Sequence, residues 1–344
     1  MKKDETTLYK QVKEHSNKEI SKPGDYEDIE ETISTGSTLL DLAISGGRVR
    51  EGGIPLGVLV EVFGPSSCGK TVLLCQIAGN MQRKNGSIMF YDPEARLNSQ
   101  FAKMFGVEIN KIAYDTPDTV TQVFSEARKW KPESSPCGIF ADSLAALSTD
   151  LEMGKDEGDK LGMRRAKEFS EQLRRTCRII TKKKYIMVCS NQVRQNLEAG
   201  PYGQKYTSPG GEAIGFYSSL RLRAKSPQKI KKKVTVAGKE ITQVVGVRTQ
   251  FEVFKSTVWK PYRVAPVTII FDYGVDDIRE NLQFIKDYTK STVYTLHGEK
   301  LAVSIDKSIE IIEKEGKEKE LKDEVIDLWN EIENKFSSNR RRRF

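Results

Sequence analysis

Gly64 to Thr71 read GPSSCGKT, the spacing GxxxxGK[ST], set between the apolar runs LVEVF and VLLCQIAGNM. Phosphate oxygens need several converging N–H donors and a cation, and a glycine-rich turn that opens a helix supplies both. Gly64 and Gly69 permit a tight backbone approach. The turn Gly64, Pro65, Ser66, Ser67, Cys68 and Gly69 would wrap the phosphates, and Val72 would continue the helix. The N–H groups from Ser66 to Thr71 would aim at the β-phosphate, reinforced by the positive helix end. Lys70 would reach the β- and γ-phosphates, and the Thr71 hydroxyl would hold Mg²⁺. ATP and Mg²⁺ are therefore the expected cofactors.

Hydrolysis needs further groups. A second carboxylate normally completes the Mg²⁺ shell from another strand end, and CGIFADS supplies Asp142. An aspartate there also reads as a turn residue or helix cap. SIMFYD runs into YDPEARL, which offers Asp92 and Glu94 around Pro93 to activate water. Glu94 is the candidate base, although alone it also reads as a surface acid or a helix N-terminal charge. Gln192, ending YIMVCSNQ, would sense the γ-phosphate through its amide.

These side chains require strands that end together. From about residue 33 to 271, apolar runs alternate with amphipathic helices, which predicts an α/β fold with a mostly parallel central sheet. Ligand loops then gather at the carboxyl ends of the strands. IKKKVTVAGKEITQVVGVRTQFEVFK reads as a lysine-rich antiparallel extension. Residues 1–32 are polar and predict a short N-terminal arm for contacts between subunits. Residues 272–344 predict a small mixed and helical C-terminal region, closing in Arg340 to Arg343 and Phe344.

A chain of 344 residues can bury a sizeable core. Its 56 Lys+Arg against 48 Asp+Glu give +8, which favours a polyanionic partner. No run reaches the roughly 18 apolar residues of a membrane span, and the start lacks the apolar stretch of a signal peptide. Five cysteines without CxxC spacing and two histidines give neither a disulfide framework nor a zinc site. A cytoplasmic protein is expected.

Taken in order, the segments resemble the bacterial RecA recombinase family over roughly residues 30 to 275. ETISTGSTLLDLA resembles its segment before the ATPase strand, YDPEARLNSQFAKMFGV the segment with its catalytic glutamate, and FADSLAAL its Mg²⁺ strand. SNQVR and PGGEAIGFYSSLRLRA resemble its γ-phosphate sensor and the end of its second DNA loop. The divergence is similar to that of phage-encoded relatives, the group containing UvsX, which would place the chain in a host cytoplasm. The resemblance implies a RecA-like P-loop ATPase core, with Glu94 as the water-activating residue and Gln192 as the sensor. It implies that Asn98 and Phe101 hold the adenine, and that Lys255 reaches a neighbouring subunit's ATP. The family's second such lysine falls on Thr257, so the resemblance implies a trans-activation that is either weaker or shifted toward Lys260. Cys68 is a further departure, at a position usually filled by another small residue.

Two Gly-rich segments align with the family's DNA loops, at about 152–166 and 193–212. In the first, Arg164 and Arg165 would bind phosphates, while Arg174 and Arg178 read as the solvated face of an amphipathic helix. In the second, Arg194 and Lys205 would meet phosphates, and Gly210 and Gly211 would present N–H groups. Leu197 falls where the family wedges an apolar side chain between bases, and Tyr202 would suit stacking. The Arg-rich tail would attract duplex DNA nonspecifically.

The function implied is an ATP-dependent homologous recombinase, a homo-oligomeric helical filament on single-stranded DNA that pairs it with homologous duplex DNA. A single-strand-binding protein and a loader or mediator are compatible partners, with no membrane. A ring-forming hexameric helicase of the same superfamily is the alternative, and a nucleotide-dependent scaffold the third reading.

Overall fold

A computed structural model describes residues 29–149, 161–195, 206–207, 212–338 and 340. Met1–Glu30 and Glu31–Phe344 separate as two compact units. The expected N-terminal arm falls almost wholly outside the described residues, as do Arg341 to Phe344 of the tail.

Strands β1 (Thr32–Ile33) and β2 (Ile54–Pro55) pair antiparallel on either side of helix α1 (Thr38–Ser45). Then come β3 (Leu59–Gly64), α2 (Lys70–Arg83), β4 (Ser87–Tyr91), α3 (Ser99–Met104) and β5 (Ala113–Asp115). Helix α4 (Val120–Lys129), β6 (Cys137–Ala141), α5 (Leu161–Lys183) and β7 (Tyr185–Gln192) follow. Short strands β8 (Arg194–Gln195) and β9 (Tyr206–Thr207) pair antiparallel, before α6 (Glu212–Tyr217) and β10 (Leu220–Ala224). The antiparallel extension is β11 (Gln228–Val236), β12 (Lys239–Ser256), β13 (Val264–Ile270) and β14 (Gly274–Val275). The sheet order is β14-β13-β12-β10-β3-β7-β6-β4-β5, with β11 paired to β12. From β10 to β5 every ladder is parallel, as the alternation of strands and helices predicts.

Strands β3, β6 and β7 are buried on both faces except at Gln192, which is why they read as continuous apolar runs. One face is closed by α4 and α5 through Val120, Val123, Phe124, Phe169 and Leu173, packed with Ile139 and Met187. A capping box of Thr119 and Gln122 starts α4, satisfying two N–H groups that the helix cannot. The opposite face receives Leu73, Leu74, Ile77 and Met81 of α2.

The chain after β14 returns to the core as α7 (Asp277–Thr289), α8 (Ile305–Glu315) and α9 (Glu318–Lys335). Thr38 donates its N–H and its hydroxyl to Asp277, each at 2.7 Å, tying α7 to α1. Arg248 on β12 grips the buried Glu280 with two hydrogen bonds of 2.7 Å. Among the described residues no helix is long and apolar enough to cross a membrane.

Candidate functional site

The parallel strands deliver their chemistry at one edge. Gly64 and Gln192, the last residues of β3 and β7, are register partners. Asp92 and Asp142 directly follow β4 and β6. Gly69 caps α2 with φ of 89°, a left-handed conformation that favours glycine, and a Cβ there would also fall 2.4 Å from Ile269 Cδ1, so that side chain would have to shift. No side chain caps α2 and its first turn holds no acid. The N–H groups that start the helix therefore remain available to an anion.

Lys70 Nζ donates to the carbonyls of Gly64 (3.1 Å) and Pro65 (2.7 Å). Phosphate oxygens are stronger, charged acceptors, so this ammonium would exchange the carbonyls for them. The buried Cys68 thiol donates to the Pro65 carbonyl at 2.9 Å. Burial pushes its pKa up, and Lys70 opposes that shift.

The hydroxyls of Thr71 and Ser190 both bond the Asp142 carboxylate. Burial raises the Asp142 pKa, the two hydroxyls lower it, and the charges of Asp92 and Glu94 raise it again. A hydroxyl beside a buried carboxylate, at the start of a phosphate loop, is an oxygen donor set that fits Mg²⁺. No group of three or more His, Cys, Asp or Glu among the described residues could hold a metal. The ion would take one carboxylate, one hydroxyl, and otherwise phosphate oxygens and water.

The two acids of YDPEARL part ways. Asp92 accepts from Leu97 N (2.7 Å) and Tyr114 Oη (2.9 Å), so it folds the turn. Glu94 accepts from Ser143 Oγ (3.1 Å) and pairs with Arg96 (2.6 Å). A cavity of about 220 Å³ gathers Ser66, Ser67, Lys70, Thr71, Glu94, Asp142 and Gln192. Arg96, Ser143 and Ser190 also line it and escaped the sequence reading. Ser190 had a signal: strand alternation places it on the same face as Gln192.

Asn98 and Phe101 are not among the cavity's lining residues. Asn98 Oδ1 caps α3 by accepting from Phe101 N (2.8 Å), and the Phe101 ring meets Phe105 edge-on at 4.7 Å. A Cβ on Gly274 would touch Phe105, as one on Gly69 would touch Ile269. The turn between, with exposed Phe271 and Tyr273, therefore spans from the phosphate loop to the Phe101–Phe105 pair. Lys255 lies apart, donating to the carbonyls of Gly215 (2.9 Å) and Phe216 (2.8 Å) at the end of α6. Burial lowers its pKa, Arg221 lowers it further, and Glu61 opposes both.

Leu197, Tyr202, Lys205, Gly210 and Gly211 lie outside the described residues, as do the side chains of Arg164 and Arg194. The backbone of Arg194 pairs with Thr207, which closes the base of the second loop. Arg165 is turned onto its own protein. It donates to the carbonyls of Ala145 (2.9 Å) and Leu144 (3.3 Å), in the turn after Asp142, and lies over the Phe169 ring. Arg174 and Arg178 line a groove with Arg175 and Arg128.

A nucleotide loop feeding a parallel sheet, with a hydroxyl–carboxylate pair and a glutamate at the strand ends, defines a P-loop ATPase. A family model described as the RecA N-terminal domain matches residues 2–276. Protein RecA of Delftia acidovorans is 32% identical over 302 residues, covering 86% of this chain and 78% of that protein. Protein RecA of Listeria monocytogenes serotype 4a is 32% identical over 262 residues, covering 76% and 68%. That of Lactobacillus delbrueckii subsp. bulgaricus is 30% identical over 274 residues, covering 78% of each. The chain belongs to the RecA family, the recombinases that couple ATP hydrolysis, with Mg²⁺, to strand exchange in filaments on single-stranded DNA.

Proposed function

We propose that this chain polymerises on single-stranded DNA, with ATP between neighbouring protomers, and exchanges that strand into a homologous duplex. The observation that carries the reading is the Thr71–Asp142 contact, facing Lys70, Glu94 and Gln192 across one cavity. Lys70 and the N–H groups from Ser66 to Thr71 bind the phosphates. Thr71 and Asp142 would hold Mg²⁺, which supplies charge neutralisation there. Glu94 takes the proton of the attacking water, while Ser143 and Arg96 fix its carboxylate. The Gln192 amide senses the γ-phosphate and biases the loop beginning at Val193.

Phe101 and Phe271 offer rings for the base, with Asn98 beside them, and Lys255 acts across the protomer interface. Arg164, Arg165, Arg194 and Lys205 serve the DNA phosphates with the N–H groups of Gly210 and Gly211, while Leu197 and Tyr202 meet bases. The reading implies a cytoplasmic protein, in the host's cytoplasm for a phage-encoded chain. It also implies a single-strand-binding protein and a loader that govern access to the strand. The test is strand exchange between circular single-stranded DNA and homologous linear duplex. Joint molecules are expected only with ATP, and their absence would refute the reading. Closed rings under the electron microscope, in place of helical filaments, would favour the helicase.

A further inference from the structure

Strands β11 and β12 leave the sheet as a two-stranded ribbon. The ladder between β12 and β13 begins at Gly246, so the ribbon beyond it pairs only with itself: Lys231 with Val244, Val234 with Ile241, Val236 with Lys239. A bulge between Ile230 and Lys231 marks the departure. Every residue from Lys231 to Gln243 is exposed, although both strands are regular. A well-formed element with no core to cover calls for another occupation.

Its charge is one-sided. Lys229, Lys231, Lys232, Lys233 and Lys239 face a single acid, Glu240, which pairs with Lys233 at 2.7 Å. Successive strand residues point to opposite faces. Lys231 and Lys233 therefore charge one face, while Lys232 and Lys239 charge the other around Val234, Val236 and Ile241. A docking face for an acidic protein would need cations on one side only. Cations on both faces suit a ribbon lying between two rows of phosphates, and the major groove of a duplex, about 12 Å wide, admits such a ribbon. Single strands are held on aromatic rings, and residues 228–245 contain none.

We propose that the β11–β12 ribbon is a duplex-DNA-binding arm, whose lysines hold the incoming duplex by its phosphates while the loops hold the single strand. This rests on the recombinase reading and names the surface that receives its second substrate. The test replaces Lys229, Lys231, Lys232 and Lys233 with Gln in the full chain, leaving the Arg-rich tail intact. Duplex affinity and its salt dependence are measured beside single-strand-stimulated ATPase. Affinity is expected to fall about tenfold or more at low salt, and the slope by ~0.9 for each phosphate no longer neutralised. ATPase on single strands should persist, and Arg at the same four positions should restore the slope. Unchanged duplex affinity and slope would overturn the arm, even if binding to an acidic protein were abolished, and so would failure of the Arg variant to restore. A parent that binds duplex but shows no single-strand-stimulated ATPase would instead remove the recombinase reading and leave the arm standing.

Discussion

On the proposed reading, Lys70 and Glu94 separate binding from chemistry. Lys70→Ala removes the cation over the phosphate loop, and charge-assisted hydrogen bonds contribute about 1.5–3 kcal/mol each. ATP affinity should fall by one to two orders of magnitude, read by nucleotide titration, and ATP-dependent DNA binding should vanish with it. Glu94→Gln keeps the contact to Ser143 but cannot accept a proton. It should still bind ATP and DNA while hydrolysis drops about 10²–10⁴-fold. Hydrolysis at the parent rate would move the base elsewhere. Much of this site was legible in the sequence because each part ends a strand or starts a helix, as Lys70 and Asp142 do. Arg96 was not, since its partner Glu94 is set by how the turn folds back on Asp92.

At the scale of elements, α5 carries the end of the proposed first DNA loop and packs against the core. Phe169, wholly buried, meets the Phe124 ring at 6.3 Å where α5 crosses α4. Phe169→Ala should cost about 3–5 kcal/mol in urea unfolding. A loss under ~1 kcal/mol would mean that the interface collapses to fill the space. In the second loop, Leu197→Ala should weaken filament formation and impair strand exchange more. Tyr202→Ala should cost about 1–3 kcal/mol of single-strand binding if the ring stacks, while Tyr202→Phe is spared. An effect confined to Tyr202→Ala would place the wedge there. Helix α9 shows where sequence patterns stop being informative. Leu321, Val325, Ile326 and Trp329 are its buried stripe, a pattern visible in the sequence. Its partners include α1, nearly 300 residues earlier, and no periodicity can announce a contact of that range. Arg165 makes the same point, because a basic residue beside a proposed DNA loop gives no sign that its guanidinium rests on two carbonyls, which DNA phosphates would have to displace.

Across the whole molecule, α1 carries a pH dependence. Asp41 is buried, and burial pushes its carboxyl from 3.8 up to about 7 against the donors Ser34 and Thr35. The folded state therefore holds a proton that the unfolded chain releases. The stability gained is complete below pH 3.8 and is lost as pH rises through about 7. Asp41→Asn should flatten unfolding free energy against pH across that window, and an unchanged slope would show that Asp41 is ionised throughout. A different consequence follows from the hold of Lys255 on the Gly215 and Phe216 carbonyls. Helix α6 closes the second loop, so a Lys255 drawn away by a neighbour's phosphate would release the end of that helix. Occupancy of one protomer's ATP site and of the next protomer's DNA loop would then share a single coupling free energy, equal in both directions. ATP binding in long filaments should show a Hill coefficient above one that Lys255→Met reduces toward one, and DNA should tighten ATP by the factor with which ATP tightens DNA.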